Sequence, residues 1–243
     1  MQNESFEKIG NFLFKYRGQL PLILVLSSIP FILHNSQRSN EAFIENLFYL
    51  FSFIFISMGH LIRFIAIGYK NLHSSGKNRD EQVANKLNTK GVYSIVRHPL
   101  YLANLLIWLG VLCVVQNVYF VLLGILFFSF LYYFIIYVEE GYLRKKFKSE
   151  HEVWAKKTPV FLPNFRNYKK IQGDFNWKMV WKNEYPGICA TFSCIWFIHL
   201  LRIFFLDKDL LNPYLIASAV VIAFFGFGSK YLKHKTNFFP KDG

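Results

Sequence analysis

Six blocks of apolar residues, separated by polar segments, follow one another along the chain. The blocks are Leu20–Leu33, Phe43–Ile67, Leu100–Val115, Val118–Val138, Tyr185–Leu206 and Pro213–Phe227. Crossing the hydrocarbon core of a bilayer takes about 20 apolar residues, and fewer where charged ends snorkel or the membrane thins. The pattern therefore predicts an all-α, polytopic membrane protein with about six transmembrane helices. The first, third and last blocks are short, so five and seven spans stay open as alternatives.

The basic residues are distributed unevenly among the segments that connect these blocks. Lysine and arginine concentrate in alternate segments, whereas Arg38 and Lys208 fall in the others, and Arg63 and Arg202 lie within blocks. Cytoplasmic loops carry the excess of basic residues, so we expect an even number of spans with both termini in the cytoplasm. The net charge of +13 then indicates attraction to anionic lipid headgroups and not a nucleic-acid partner. We expect a multi-pass protein of a bacterial inner membrane.

The N-terminus and the cysteines predict neither processing nor a metal site. The first block follows mixed charges and precedes no small-residue cleavage motif, which argues against a signal peptide. Cys113, Cys189 and Cys194 lie in apolar blocks without the paired spacing of a zinc site, so we interpret them as buried hydrophobic residues. The chain contains no GxGxxG, P-loop, HExxH or GxSxG motif, which excludes a Rossmann-type cofactor domain.

The order of these segments divides the chain into three regions. Residues 1–70 form an N-terminal two-helix membrane region, residues 71–170 a central region, and residues 171–243 a C-terminal two-helix membrane region. The central region contains a polar loop, a helical hairpin, and a basic, aromatic segment that we expect to be a cytoplasmic helix followed by an extended strap. Two prolines, Pro159 and Pro163, predict the change from helix to strap.

The hairpin brings oppositely charged residues to one membrane surface. Only a two-residue turn separates the third and fourth blocks, so their cytoplasmic ends meet. One end carries Arg97 and His98, and the other carries Glu139 and Glu140. Adjacent carboxylates at the end of a span are costly unless a cation, water or a ligand receives them. This arrangement is typical of a site, although a solvated helix end is the alternative.

The residues before the third span have the character of an anion site. Pro99 suits the first turn of a helix, so Arg97 and His98 lie beside its unsatisfied N–H groups. Tyr101 and Asn104 continue a polar stripe along the same helix. The alternative is that the arginine snorkels and that the tyrosines are interfacial residues. In the second span, Arg63 is a functional candidate by its depth, with snorkelling again the alternative.

With these motifs identified, the central region resembles the isoprenylcysteine carboxyl methyltransferase/phospholipid methyltransferase family of integral-membrane enzymes. The resemblance lies in a GxY–RHPxY motif, a helical hairpin, an EExxL motif and two following prolines. The matching residues are Gly91, Tyr93, Arg97, His98, Pro99, Tyr101, Glu139, Glu140, Leu143, Phe147, Pro159 and Pro163. The helix around GHLIRFIAIG (residues 59–68) is also similar to the family.

The resemblance implies that S-adenosyl-L-methionine binds at the cytoplasmic face between these motifs. Its cofactor-binding residues would be Tyr93, His98, Pro99, Leu100, Tyr101, Glu139 and Glu140, with Leu87 and Asn88. Arg97, His98 and Glu139 would be the catalytic residues. A substrate phosphate would find its countercharge in Arg63, Arg144 or Arg17, because guanidinium groups bind such anions well. No metal is implied.

The chain departs from the family pattern at four positions. Lys148 stands where the family has glycine, and His151 and Trp154 replace two tyrosines. Ile135 occupies the position where prenylcysteine enzymes carry an acceptor-binding arginine. The last departure argues against a prenylcysteine substrate.

The sequence therefore predicts a methyltransferase that acts on an acidic group of a membrane lipid, with a lipid A-type phosphate as the best guess. The alternatives are a prenylcysteine-type carboxyl or a phospholipid amine methyltransferase. A sterol-type membrane reductase shares the RHxxY motif but uses NADPH, and the EExxL motif argues against it. A lipid-binding membrane protein without activity is the fourth alternative.

Overall fold

The computed structural model describes residues 4–35, 42–69, 86–171, 173–207, 212–236 and 238–239. Within these residues the chain is helical and contains no strand, which confirms the all-α prediction. The helices are α1 (Glu4–Tyr16), α2 (Leu22–Ser27), α3 (Ile29–Asn35), α4 (Ala42–Gly68), α5 (Val92–Ile95), α6 (Pro99–Cys113), α7 (Val118–Lys157), α8 (Trp177–Arg202) and α9 (Pro213–Lys235). A 3₁₀ turn covers Phe165–Asn167, and a π-helical turn covers Ile203–Asp207.

Four of the described helices are long and apolar enough to cross a membrane. These are α4, α7, α9 and the continuous segment Trp177–Phe205 that begins with α8. The segment Leu22–His34 and helix α6 are apolar but shorter. Six spans with cytoplasmic termini therefore stay a prediction. Part of the charge argument rests on Arg38, Lys70 and Lys208, which lie outside the described residues, as do residues 1–3 and 240–243.

The first apolar block is a broken helix and not one continuous span. The chain turns between α1 and α2, and α2 and α3 meet at Ser28, whose hydroxyl donates to the carbonyl of Val25 at 2.7 Å. Pro21 and Pro30 explain the breaks, because proline has no N–H for the helical ladder. The sequence pattern missed this division because Ser27, Ser28 and the two prolines were counted as part of one apolar block.

The three N-terminal helices together follow α7 in the opposite direction. The ring of Phe6 in α1 lies 5.2 Å from that of Phe134, well along α7. The ring of Phe31 in α3 lies 4.9 Å from that of Phe120, in the first turn of α7. The turn between α1 and α2, which contains Arg17, is therefore located part of the way along the long helix.

Helices α4 and α6 make the closest helix pair. A Cβ on Gly59 would lie 2.7 Å from the carbonyl oxygen of Ala103, and one on Gly110 would lie 2.8 Å from that of Ser52. Small residues at a helix crossing let the backbones approach, which is the usual basis of helix association in membranes. These contacts hold α4 against α6 from Ala103, near the start of α6, to Gly110, near its end.

Helix α7 extends far beyond the apolar block that predicts it. Its 40 residues correspond to about 60 Å, roughly twice the hydrocarbon thickness of a bilayer. Its N-terminus is capped by Asn117, whose side chain accepts from the N–H of Phe120 at 3.1 Å. Beyond Val138, the helix continues outside the predicted span and kinks at Lys148, which has φ 42° and ψ −117°.

The polypeptide after α7 runs back across the end of the hairpin that carries Arg97. This segment, residues 158–171, is called the strap. Asn176, which caps α8, donates its N–H to the carbonyl of Gly68 at 2.9 Å, joining the ends of α4 and α8. Helix α8 begins at Trp177, eight residues earlier than the apolar block predicts, and so includes Glu184.

Candidate functional site

The start of α6 forms the centre of the site. His98 precedes the helix with φ −119° and ψ 63°, and Pro99 occupies the first turn. The first N–H groups of a helix have no intrahelical acceptor. The side chain of His98 does not cap α6, so it does not accept from these N–H groups either. His98 is buried, with 5% of its surface exposed. These N–H groups and the guanidinium of Arg97 lie where the sequence predicts an anion site, and anion binding there stays a prediction.

Glu140 is the residue on which three basic side chains converge. Its Oε2 accepts from Nη1 of Arg97 at 2.5 Å, and its Oε1 accepts from Nε2 of His98 at 2.8 Å. Nε2 of His151 lies 3.3 Å from Oε2. Burial alone would raise the pKa of Glu140, but the His98 hydrogen bond and the neighbouring positive charge lower it below its ordinary value. The ionised carboxylate thus holds both members of the RH motif.

Glu139 occupies a different environment from its neighbour. Its Oε2 lies 3.7 Å from Nδ1 of His98, and the hydroxyl of Tyr101 is within hydrogen-bonding reach of the carboxylate. Oε2 is buried and has no hydrogen-bond partner among the described residues. The side chain is 29% exposed, against 12% for Glu140. Glu139 is therefore the carboxylate with capacity left for a ligand.

The kink at Lys148 directs the end of α7 back towards the site. His151 is almost fully buried, and Nε1 of Trp154 donates to the carbonyl of Tyr93 at 2.9 Å. Burial holds the pKa of His151 below its ordinary value, although Glu140 opposes this effect. The positive φ at Lys148 is a conformation that glycine adopts without strain, which agrees with the glycine of the family pattern at this position.

The strap holds α5 and the RH motif by backbone hydrogen bonds. The N–H of Arg97 donates to Pro159 at 2.9 Å, and the N–H of Asn164 donates to Ile95 at 2.9 Å. At its end, the carbonyl of Lys169 accepts from the N–H of Gly91 at 2.8 Å. Gly91 has φ 60°, so glycine is required where the chain enters α5. The two predicted prolines thus belong to a segment that closes over the site.

A second polar cluster lies on the spans beside the first. Nε and Nη2 of Arg63 donate to the two oxygens of Glu184 at 2.5 and 2.8 Å, and Nη1 donates to Oδ1 of Asn104 at 2.6 Å. Glu184 is 1% exposed. The guanidinium of Arg63 is therefore paired with a carboxylate from α8 and is not a free cation.

Three tyrosines connect the two clusters. Tyr101 stacks on His98 at 5.7 Å between ring centroids, and Tyr132 lies 5.2 Å from Tyr101 and within hydrogen-bonding reach of Asn104. Tyr93 lies close enough to Glu139 and Arg63 to interact with both charges. Burial, and then the charge of Glu139, raise the pKa of Tyr93, so this phenol stays neutral.

The remaining predicted residues lie at the edge of this site. Leu87 and Asn88 line a cavity of about 300 Å³ together with Tyr93 and Ile171 of the strap. Leu100 is half-buried in the first turn of α6, and Arg144 is exposed on the surface of α7. Arg144 nevertheless lies close enough to His151 for its charge to help lower the pKa of that imidazole.

Arg17 is located at the break between α1 and α2. Its guanidinium lies 3.9 Å from the ring centroid of Phe14 and donates to the carbonyl of that residue at 2.6 Å. It is near enough to Tyr101 to interact electrostatically. No carboxylate of the described residues lies within 4 Å of it. Arg17 is thus a cation beside the site that has no acidic partner in this part of the chain.

Sequence reasoning missed Glu184 and Tyr132. The signal for Glu184 was present, because a single acidic residue precedes the apolar run of α8. Its partner could not be inferred, since Arg63 is 121 positions away. Tyr132 was one aromatic residue among many on α7. No cluster of His, Cys, Asp or Glu among the described residues is arranged to hold a metal ion.

Comparisons with known proteins agree with this geometry. The phospholipid methyltransferase family pattern matches residues 47–150, which confirms the resemblance found from the motifs. A curated relative is the cobalt-zinc-cadmium resistance protein CzcN of Cupriavidus metallidurans, 26% identical over 192 residues, which is 79% of this chain and 82% of the relative. No solved structure matches the chain significantly. The matched segment contains α6, the carboxylate pair and Arg63.

Proposed function

The phospholipid methyltransferase family pattern matches residues 47–150 of the chain, and from this match we propose that the protein is an integral-membrane, S-adenosyl-L-methionine-dependent O-methyltransferase that modifies an acidic group of a membrane lipid. The observation that carries the proposal is the convergence of Arg97 and His98 on Glu140, with Glu139 beside them. These residues are the two halves of the family motif, and the α6–α7 hairpin joins them into one site.

The residues present fit S-adenosyl-L-methionine. The buried Oε2 of Glu139 has no hydrogen-bond partner in the described chain, and it can accept from an amino or hydroxyl group. The uncapped start of α6, at Leu100 and Tyr101, can donate to a carboxylate. Tyr93, which lines the cavity together with Leu87 and Asn88, is close enough to Glu139 to interact with its charge. When bound, this cofactor supplies a methyl group on a positively charged sulfur.

The protein's own residues supply orientation and exclusion of water. Displacement at a methyl carbon requires the nucleophile and leaving group to be in line, so holding both reactants in place is the main task. Glu140, His98 and the strap fix the start of α6, while the surrounding apolar helices exclude water. A phosphate or carboxylate acceptor is already ionised near neutral pH, so no general base has to act.

Arg17 supports an acidic acceptor. It lies beside Tyr101 without an acidic partner among the described residues, and a guanidinium binds phosphate or carboxylate oxygens with two N–H groups. We propose a lipid phosphate of the lipid A type as the first acceptor to test. We assign Arg63 a structural role and not a role in binding the acceptor, because its guanidinium is already paired with Glu184.

The proposal is tested by methyl transfer to extracted lipids. Purified protein is incubated with S-adenosyl-L-methionine labelled in its methyl group and with total membrane lipids, and the lipid classes are separated. We expect label in an acidic lipid, released by conditions that cleave methyl phosphates or esters, and loss of labelling in His98→Ala. Label in an amine headgroup would replace the acidic acceptor with an amine one. Binding of NADPH without binding of the methyl donor would instead indicate the reductase.

A further inference from the structure

Helix α8 lies outside the segment that carries the family pattern, yet it contributes a buried carboxylate to the interior of the site. Glu184 receives two hydrogen bonds from Arg63 and is 1% exposed. Burial of a charge this complete is unfavourable unless the charge is paired and hydrogen-bonded. The bidentate geometry meets that requirement and fixes the plane of the guanidinium.

The pair belongs to a chain of contacts that includes all four helices around the site. Arg63 on α4 donates to Asn104 on α6, and Asn104 is within hydrogen-bonding reach of Tyr132 on α7. Tyr132 packs against Tyr101, whose ring stacks on His98. The contacts therefore begin at a carboxylate on α8 and end at the imidazole that Glu140 holds.

We infer that Glu184 is a positioning residue for the cofactor site: by fixing Arg63, it sets the place of Asn104, Tyr132 and Tyr101 beside His98. The inference rests on the proposed function, because it assigns Glu184 to the same site. It also gives the C-terminal membrane region a part in that site, since Glu184 on α8 supplies the carboxylate that balances the partly buried guanidinium of Arg63. An unpaired charge at this depth would turn towards water or another anion and disturb α6.

An alternative is that the pair only stabilises helix packing. The two possibilities differ in their effect on the folded protein. A packing role lowers the melting temperature and leaves the affinity of the folded protein for ligand unchanged. A positioning role changes ligand affinity, and it does so only through Arg63.

Affinity for S-adenosylhomocysteine, measured by calorimetry on detergent-purified protein, separates these possibilities. The variants are Glu184→Gln, Arg63→Gln and the double variant, with Asn183→Ala as the control, since Asn183 bonds only within α8. We expect each single variant to raise Kd by roughly 10-fold, corresponding to the loss of about one charge-assisted hydrogen bond. The double variant should bind no more weakly than Arg63→Gln, because non-additivity identifies residues that act as one unit.

A second variant covers the case in which Glu184→Gln fails to fold. Tyr132→Phe removes only a hydroxyl at the other end of the network and leaves no buried charge, so we expect it to fold and to raise Kd by about 3-fold. Wild-type Kd in folded Glu184→Gln, additive effects in the double variant, or unchanged affinity in Tyr132→Phe would each overturn the inference. If the wild-type protein binds S-adenosylhomocysteine but labels no lipid, the proposed acceptor is wrong, and the inference about Glu184 is unaffected.

Discussion

The imidazole of His98 lies 2.8 Å from the carboxylate of Glu140, which the chain places 42 residues later. The same carboxylate binds Arg97 through its other oxygen. The RH motif and the EE motif are therefore two parts of one ion-paired unit. The structure divides the carboxylate pair between two tasks, since Glu140 holds the motif and Glu139 faces the space beside it.

Glu140→Gln tests the structural half of this division. The amide cannot balance the charge of Arg97 or accept from both basic residues, and breaking a buried ion pair from one side is strongly destabilising. We expect a loss of about 3 kcal/mol in unfolding free energy and no measurable binding of S-adenosylhomocysteine. Thermal unfolding in detergent and calorimetry make the two measurements. An unchanged melting temperature would show that the pair does not hold the site together.

Glu139→Gln is the matched substitution at the neighbouring position. Because Glu139 forms no comparable ion pair, we expect the melting temperature to stay within a few degrees of wild type. Affinity for S-adenosylhomocysteine should fall by roughly 10-fold, since a charged acceptor is lost from the ligand side. Equal stability loss in both variants would mean that the two carboxylates share one task.

Arg17→Gln tests the acceptor side of the proposal. We expect KM for the acidic lipid to rise by about 10-fold or more, since a guanidinium–phosphate contact is lost. Affinity for S-adenosylhomocysteine should be unchanged. Lys8→Gln, which changes an exposed cation on α1, the helix before Arg17, controls for general attraction to anionic lipid. If Lys8→Gln raises KM for the acidic lipid as much as Arg17→Gln does, the effect comes from surface charge and not from a specific contact with Arg17.

Lys148→Gly tests the kink. A non-glycine residue at φ 42° carries about 1–3 kcal/mol of strain, and glycine relieves it at a smaller entropic cost. We expect the unfolding free energy to rise by about 1 kcal/mol, whereas Lys148→Val lowers it. Glu152→Gly, at an exposed helical position after the kink, should lose about 1 kcal/mol. If both glycine variants are destabilised alike, Lys148 does not adopt the strained conformation in the protein.

The pH dependence of stability follows from two shifted groups. His151 has a lowered pKa, so acidification below its ordinary 6.5 protonates the unfolded chain first and removes stability. Glu140 also has a lowered pKa, so its contribution is present above its ordinary 4.5 and is lost as the pH falls further. We expect the melting temperature to decline in two stages on acidification. His151→Gln should reduce the upper stage, and an upper stage of unchanged size in that variant would contradict the assignment.

The sequence was sufficient to predict the helical class, the α6–α7 hairpin and the meeting of Arg97 and His98 with the carboxylates. These features depend on local signals, namely an apolar run, a proline at a helix start and a two-residue turn. It was insufficient for the N-terminal helix, where Pro21 and Pro30 interrupt an evenly apolar block. Helix length alone did not decide how many segments cross the membrane.

The pairing of Arg63 was beyond sequence reasoning for a different reason. Both snorkelling and lipid binding are open to an arginine near the end of a span, and the choice depends on which helix packs beside it. That helix is α8, whose start was predicted after Glu184 because the apolar run begins there. The sequence showed that Arg63 lies within a span but not that Glu184 pairs with its charge.

The four-residue link between α6 and α7, Val114–Asn117, is the hinge of the hairpin. A small change of angle at this link becomes a larger displacement at the far ends of the two helices. At 1.5 Å per residue, the tips of the hairpin at His98 and Glu140 are about 24 Å and about 34 Å from the link, so an opening of about two degrees at the link separates the tips by roughly 1 Å. A displacement of that size at a reacting group can change a rate by about 100-fold. Bilayer thickness, which acts on helix tilt, would therefore act on the distance between these two residues.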